Sequence, residues 1–94
     1  MIKIHEKELG MNGKITTITG RIQKILTVQY RPNIGPCVWY QTNEAVPNNS
    51  IKIIAIGTNW DVPKTYWNYI GTIQDRYGLV WHYYATSEEY EERD

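Results

Sequence analysis

The sequence predicts an all-β fold, with about seven short and mainly antiparallel strands in a compact sandwich or a small barrel. Three observations support this prediction. Apolar and polar residues alternate with a period of two, β-branched and aromatic residues gather in short runs, and turn residues separate those runs. The 94 residues suffice for a single β domain, which we place at residues 1–86, before an acidic tail at residues 87–94. We expect this tail to be a short helix or a frayed end.

Four strands are predicted in the first half of the chain, at residues 2–8, 14–19, 22–30 and 37–42. The dipeptide Asn12-Gly13 stands between the first two, and Asn-Gly is the strongest short hairpin signal. We therefore expect these two strands to be joined by a tight hairpin turn. Gly20 permits a bend before the third strand. Residues 31–36 contain two prolines and a glycine, which predict a loop before the fourth strand.

Three further strands are predicted at residues 50–58, 67–74 and 79–85. The first of them is a nearly continuous apolar run, which is typical of a central strand that is covered on both faces. An irregular loop follows at residues 59–65, where Pro63 interrupts the pattern. The turn at residues 75–78 is four residues long, and we expect it to close an antiparallel hairpin between the last two strands. No segment before residue 86 has convincing helical spacing.

The charge of the chain is unevenly distributed. The formal net charge is zero, but five of the ten acidic residues lie among the last seven positions. Residues 1–87 carry nine basic and five acidic side chains, a net charge of about +4. This charge is compatible with an anionic ligand, but it is too small and too scattered to predict binding to duplex DNA.

Several classes of chemistry have no support in the sequence. The only cysteine, Cys37, cannot form an intramolecular disulfide, and its apolar neighbours predict a buried structural thiol. His5 and His82 lack partners at metal-ligand spacing, and the glycines form no phosphate loop. His82 could be a general base, although a hydrogen-bonded histidine on a strand face explains it better. We therefore expect no catalytic residue, no metal and no cofactor.

The ends of the chain give no indication of a membrane protein. The first residues alternate in polarity instead of forming the apolar run of a secretory signal, and no stretch has the ~20 apolar residues that span a bilayer. We expect a cytosolic protein.

Aromatic residues suggest where a ligand could bind. The chain has four Trp and eight Tyr but no Phe, so every one of these large aromatic rings carries a polar group. Such rings suit partly solvated surfaces that face a ligand, although Tyr and Trp also favour strands independently of any ligand. A candidate site lies in and just after the loop that follows the fifth strand, and it contains Thr58, Asn59, Trp60, Lys64 and Tyr66. Here a ring could stack on a base while the lysine meets phosphate.

A second candidate cluster lies where the third and fourth strands are joined. Arg31 could pair with phosphate and Gln41 could contact the edge of a base, next to the ring of Trp39. A solvated hairpin end explains the same residues and is favoured for this cluster.

Five short motifs give the sequence a family resemblance. They are Lys24-Ile25-Leu26-Thr27-Val28-Gln29, Pro36-Cys37-Val38-Trp39, Gly57-Thr58, Tyr69-Ile70-Gly71-Thr72-Ile73-Gln74 and Gly78-Leu79-Val80-Trp81-His82. In this order they resemble a family of small, uncharacterised bacteriophage proteins with the pattern ILxVQ, PCxW, YIGTxQ and GLVWH. The resemblance extends over residues 24–82. The chain departs from the family at Asn59-Trp60, where relatives often have Gly-His-Pro after Gly-Thr, so ligand contacts in this loop can differ.

The family in turn resembles phage anti-CBASS sponges, which sequester the cyclic dinucleotide signals of bacterial antiphage defence. This resemblance implies a non-catalytic ligand-binding domain in the host cell cytoplasm, and it implies a homo-oligomer whose ligand pockets form between protomers. Two alternatives stay open. One is a protein-binding phage accessory or inhibitor module that acts through an exposed strand edge, and the other is a small single-stranded nucleic-acid-binding β domain.

Overall fold

The computed structural model describes residues 1–66 and 68–86. These residues form seven strands: β1 (Ile2–Glu8), β2 (Ile15–Gly20), β3 (Ile22–Arg31), β4 (Gly35–Asn43), β5 (Asn49–Gly57), β6 (Asn68–Gln74) and β7 (Val80–Ala85). The predicted all-β fold of seven antiparallel strands is confirmed. The tail at 87–94 and its predicted helix lie outside the described residues.

The strands form two antiparallel sheets, one of three strands in the order β1-β4-β3 and one of four strands in the order β2-β5-β7-β6. The edge strands β3 and β6 lie against each other, so the sheets meet along this side. Between the sheets lies the main core, in which Tyr83 is the largest fully buried side chain. The other members include Ile18, Ile22, Val28, Val38, Ile51, Ile53, Ala55, Ile73 and Trp81.

The hairpin predicted from the last two strands is confirmed. Strand β6 pairs antiparallel with β7, with Thr72 opposite His82 and Ile73 opposite Trp81. The turn between them is held by Asp75, whose Oδ1 accepts hydrogen bonds from the backbone N–H groups of Tyr77 and Leu79 at 2.9 Å. A local turn thus sets the register of the pair, which is why the sequence predicts it well.

The hairpin predicted between the first two strands is wrong. Asn12 and Gly13 do form a tight turn with positive φ values of 58° and 82°. However, β1 pairs with β4 and β2 pairs with β5, so the two strands belong to different sheets. The connection crosses the end of the sandwich, where Leu9 is buried and donates its N–H to the Pro36 carbonyl. An Asn-Gly turn specifies a local reversal, whereas the pairing of its flanking strands depends on the core.

Strand β5 is covered on both faces, as its apolar run predicts. Ile51, Ile53 and Ala55 point into the main core. On the opposite face, Ile54 and Ile56 pack with Tyr66, against which Val62 and Tyr84 also lie. The outward face of the four-stranded sheet is therefore partly covered by the segment 58–66, which we call the β5 loop.

Two further predictions concern burial and membrane spans. Cys37 is 0% exposed, which confirms the buried thiol. Burial raises the pKa of this thiol, and the neighbouring carboxylate of Glu6 raises it further. Residues 1–66 and 68–86 contain no helix with the length and apolar character needed to cross a bilayer.

Candidate functional site

The candidate site begins with a tight turn directly after β5. The N–H of Trp60 donates to the carbonyl of Gly57 at 3.1 Å, and Asn59 adopts a left-handed conformation with φ of 75°. Asparagine tolerates this conformation better than most residues, because its short polar side chain bonds locally. The turn therefore folds Trp60 back over the end of the strand it has just left.

The Trp60 ring is seated on a glycine and against a second tryptophan. A β-carbon at Gly57 would lie 2.6 Å from Cε2 of this ring, so only glycine leaves room for it. The ring of Trp81 meets it edge-on, with centroids 5.7 Å apart and an interplanar angle of 76°. Such edge-to-face pairs contribute about 0.5–1.5 kcal/mol beyond their buried area. Trp60 nevertheless remains 47% exposed, which leaves about half of the ring for another partner.

The supporting ring of Trp81 is itself held by the β6–β7 turn. Its Nε1–H donates to Oδ2 of Asp75 at 3.1 Å. Burial alone would raise the pKa of Asp75, but this bond and the two backbone N–H donors outweigh it and hold the pKa below the ordinary value of 3.8. A chain of contacts thus runs from the Asp75 carboxylate through Trp81 to the exposed ring of Trp60.

Two hollows flank the Trp60 ring. One has a volume of about 390 Å³ and is lined by Gly57, Thr58 and Trp60 together with Gly78, Leu79, Val80 and Trp81. The other has a volume of about 190 Å³, and it shares the same turn but is completed by Asn59, Val62, His82 and Tyr84. One ring therefore separates a largely apolar hollow from a more polar one. This arrangement suits a flat ligand that has polar groups at its edge.

His82 forms the centre of a polar chain on the floor of the second hollow. Its Nε2 lies 2.9 Å from Oγ1 of Thr58, and its Nδ1 lies 3.0 Å from Oγ1 of Thr72. The Thr72 hydroxyl is in turn 2.6 Å from the hydroxyl of Tyr69. Every member except Thr58 lies on the outward face of the β6–β7 hairpin. Hydroxyls and imidazole can each donate or accept, so this chain can adjust to different ligand edges.

The remaining predicted residues of the β5 loop have different environments. Lys64 is exposed at the tip of a second turn, in which the N–H of Tyr66 donates to the Pro63 carbonyl at 2.9 Å. Tyr66 is only 8% exposed and packs on Ile54 and Ile56. The expectation that Tyr66 stacks on a base is therefore not supported, because its ring anchors the loop instead.

The second predicted cluster lies on the other sheet. Trp39 and Gln41 alternate with the buried Val38 and point away from the core, on the outward face of the three-stranded sheet. Arg31 pairs with Glu6 on this face. Through this hydrogen bond Arg31 lowers the pKa of Glu6 below its ordinary value. The structure does not bring these residues to Trp60, so the two predicted clusters stay separate within one chain.

Several residues of the site were missed by sequence reasoning. Leu79, Val80 and Trp81 line the larger hollow, and Thr72 positions His82. The sequence signal that could have identified them was the alternation of side chains along the strands, which has a period of two residues. Because successive side chains of a strand point to opposite faces, His82 points away from the face of the buried Trp81 and Tyr83. The register of the hairpin then places Thr72 beside His82. Within residues 1–66 and 68–86, no group of three or more His, Cys, Asp or Glu side chains could hold a metal ion.

Comparison with known proteins defines the family of this chain. Searches of curated proteins and of solved structures found no significant match. The model of a domain of unknown function, DUF7352, matches residues 1–94, and the chain therefore belongs to the DUF7352 family.

Proposed function

We propose that this domain is a non-catalytic bacteriophage sponge, which binds and sequesters a cyclic dinucleotide immune signal in the host cell cytoplasm and so counters CBASS defence. The phage origin and the class of ligand come from the motifs at residues 24–82. The binding site within the chain is proposed from the arrangement around Trp60.

The observation that carries the proposal is the half-exposed Trp60 ring between two hollows. A tryptophan that the core required would be buried, whereas this ring is held from below by Gly57 and from the side by Trp81. A ring that is fixed in advance loses little freedom when a base stacks on it. Stacking on an aromatic side chain contributes about 1–3 kcal/mol per base.

Polar groups around the ring match the rest of a nucleotide. The chain of Thr58, His82 and Thr72 offers donors and acceptors to the edge of a base, and Asn59 lies beside it. Lys64 is exposed in the same loop and offers a positive charge for phosphate. The folded part carries a modest positive charge, which favours an anion without requiring a long nucleic acid.

A sponge has to bind tightly, and nanomolar affinity corresponds to about −12 kcal/mol. The two open hollows beside Trp60 cover only part of a dinucleotide. We therefore propose that the protein is a homo-oligomer in which two copies of the site enclose one ligand. The exposed apolar residues that line the larger hollow beside the ring, Leu79 and Val80, favour such a contact.

The experiment is a calorimetric titration with cyclic dinucleotides, the matching linear dinucleotides and short oligonucleotides. We expect one cyclic dinucleotide to bind at nanomolar concentration and to be recovered unchanged after the protein is denatured. Trp60→Ala should weaken this binding about 5- to 150-fold, which corresponds to the loss of one stacking ring. The proposal fails if no cyclic dinucleotide binds below about 10 μM. Stronger binding of the oligonucleotides would favour the single-stranded nucleic-acid alternative.

A protein-binding module is the second candidate, because the exposed rings and aliphatic residues around Trp60 could equally contact a partner protein. Nucleotide binding by the wild type separates the two candidates, and the variant Leu79→Lys tests the protein contact. It places a charge in the apolar hollow but leaves the polar chain of His82 intact. If the site binds only protein, Leu79→Lys abolishes association with the partner protein, and no nucleotide binds to the wild type or to the variant.

A further inference from the structure

A cleft lies on the side of the sandwich where the sheets do not meet. Strands β3 and β6 close one side, and β1 and β2 are the edge strands on the other. Between them is a hollow of about 340 Å³, which contains Lys3, His5, Arg21 and Tyr40. We call it the edge cleft. Trp60 and the β5 loop contribute nothing to its lining.

Cations outnumber anions in the edge cleft. Lys3 and Arg21 contribute positive charges, and the terminal ammonium of Met1 is paired with the carboxylate of Glu44 at 3.2 Å. Neither Lys3 nor Arg21 takes part in the salt bridges formed by the described residues. Two positive charges therefore face the cleft with no carboxylate paired to them there, which favours an anionic occupant.

Arg21 is held in a fixed position. One of its terminal nitrogens, Nη1, donates to the backbone carbonyls of Glu44 and Val46, at 3.4 Å and 3.0 Å. A guanidinium has five N–H donors in a rigid plane, so the others stay available to a ligand. A preorganised arginine with free donors is well suited to phosphate.

Aromatic rings form one wall of the cleft. His5 stacks on Tyr40 with ring centroids 5.4 Å apart and an interplanar angle of 23°. Nε2 of His5 lies 2.9 Å from Oγ1 of Thr42, and this bond fixes the orientation of the imidazole. The rings lie on the same face of β1 and β4 as the core, but at the edge where the core ends.

We propose that the edge cleft is a second binding site, which takes a small phosphate monoester with an attached ring. The phosphate lies between Lys3 and Arg21, and the ring lies against the pair formed by His5 and Tyr40. This site is separate from the Trp60 site and does not rest on the function proposed above.

The test is an NMR titration of isotope-labelled protein with three probes: inorganic phosphate, phenyl phosphate and phenol. We expect saturable shifts of the His5 ring protons and of the Lys3, Arg21 and Tyr40 amides. Phenyl phosphate should bind most tightly and phenol most weakly, because only the first has both the charge and the ring. Signals of Trp60 should stay in place, which separates this result from the outcome at the other site.

Lys3→Gln and Lys7→Gln form a matched pair, because both lysines are exposed on β1 and point to the same face, but only Lys3 lines the cleft. Lys3→Gln should lower the affinity for phenyl phosphate about five- to tenfold, as expected for one charge-assisted hydrogen bond. Lys7→Gln should change it less than about twofold. Equal effects of the two variants, or no saturable shift below about 10 mM phenyl phosphate, would overturn the proposal.

Discussion

The β5 loop and the outward face of the three-stranded sheet carry similar residues in different settings. The four-stranded sheet presents a tryptophan, an amide and a lysine on the β5 loop, namely Trp60, Asn59 and Lys64. The three-stranded sheet presents Trp39, Gln41 and Arg31. In the first region the turn after β5 folds the Trp60 ring over Gly57 and against Trp81, at the core side of the four-stranded sheet, and hollows lie beside the ring. On the outward face of the three-stranded sheet, which we call the flat face, the side chains lie along strands, and Ile4 stays 63% exposed beside them.

This difference indicates that composition alone does not make a site. Arg31 on the flat face is already paired with Glu6, whereas Lys64 on the β5 loop takes part in neither of the two ion pairs formed by the described residues. Gly57 and Asn59 allow the Trp60 ring a close approach that a strand face lacks. The loop therefore combines an immobilised ring with open volume, which a ligand needs.

The largest expected effect concerns stability. Ile56 is buried under the β5 loop against Tyr66, so Ile56→Ala should lower the free energy of unfolding by about 2–5 kcal/mol. Ile4→Ala on the flat face should change it by about 0.5 kcal/mol or less, because that side chain is exposed. Urea unfolding of both variants measures the difference. Equal losses would mean that the two faces are not covered differently.

The next prediction concerns the packing of the Trp60 ring on Gly57. Gly57→Ala should displace Trp60, because the added methyl group cannot coexist with the ring in its present position. We expect the affinity for the cyclic dinucleotide to fall about 5- to 150-fold, as for loss of the ring itself. Thr58→Ala should weaken binding less, because it removes one hydrogen bond of the polar chain at His82 but does not move the ring. An unchanged affinity for Gly57→Ala would show that the seated position is not the binding position.

A third prediction uses pH to compare the carboxylates of the two regions. The pKa of Asp75 is held below its ordinary value, so its ionised form stabilises the fold above about pH 4, and this contribution is lost as the pH falls through the folded-state pKa. Asp75→Asn should therefore be less stable than the wild type at about pH 6, and the gap should narrow toward about pH 2. Glu6→Gln should produce a smaller gap, because its ion pair with Arg31 is exposed. Denaturant unfolding across this range measures both.

The smallest effect concerns charge. Lys64→Gln should lower the affinity for the cyclic dinucleotide about two- to fivefold at low ionic strength. This loss should disappear near 1 M salt, where the Debye length is about 3 Å. Lys24→Gln on the flat face should have no such effect. Calorimetry at several salt concentrations distinguishes the two. A loss that is independent of salt would point to a packing role for Lys64.

Local patterns predicted much of this fold, and non-local pairing accounts for the errors. The β6–β7 hairpin and the covered β5 follow from a four-residue turn and from an apolar run. The pairing of β1 with β4 did not follow, because it joins residues 29 to 41 positions apart and no turn specifies it. For the site, the exposed loop around Trp60 was predicted. The burial of Tyr66 was not, because it depends on how the second turn folds the loop onto Ile54 and Ile56.

We propose that a cyclic dinucleotide stacks on Trp60 and not on the flat face. The most direct measurement is the indole N–H region of a two-dimensional NMR spectrum of labelled protein during titration with the cyclic dinucleotide. We expect a large, saturable shift of the Trp60 indole signal, a smaller one for the adjoining Trp81, and no change for Trp39. A shift of Trp39 while Trp60 stays in place, or no shift of either with any cyclic dinucleotide, would contradict it.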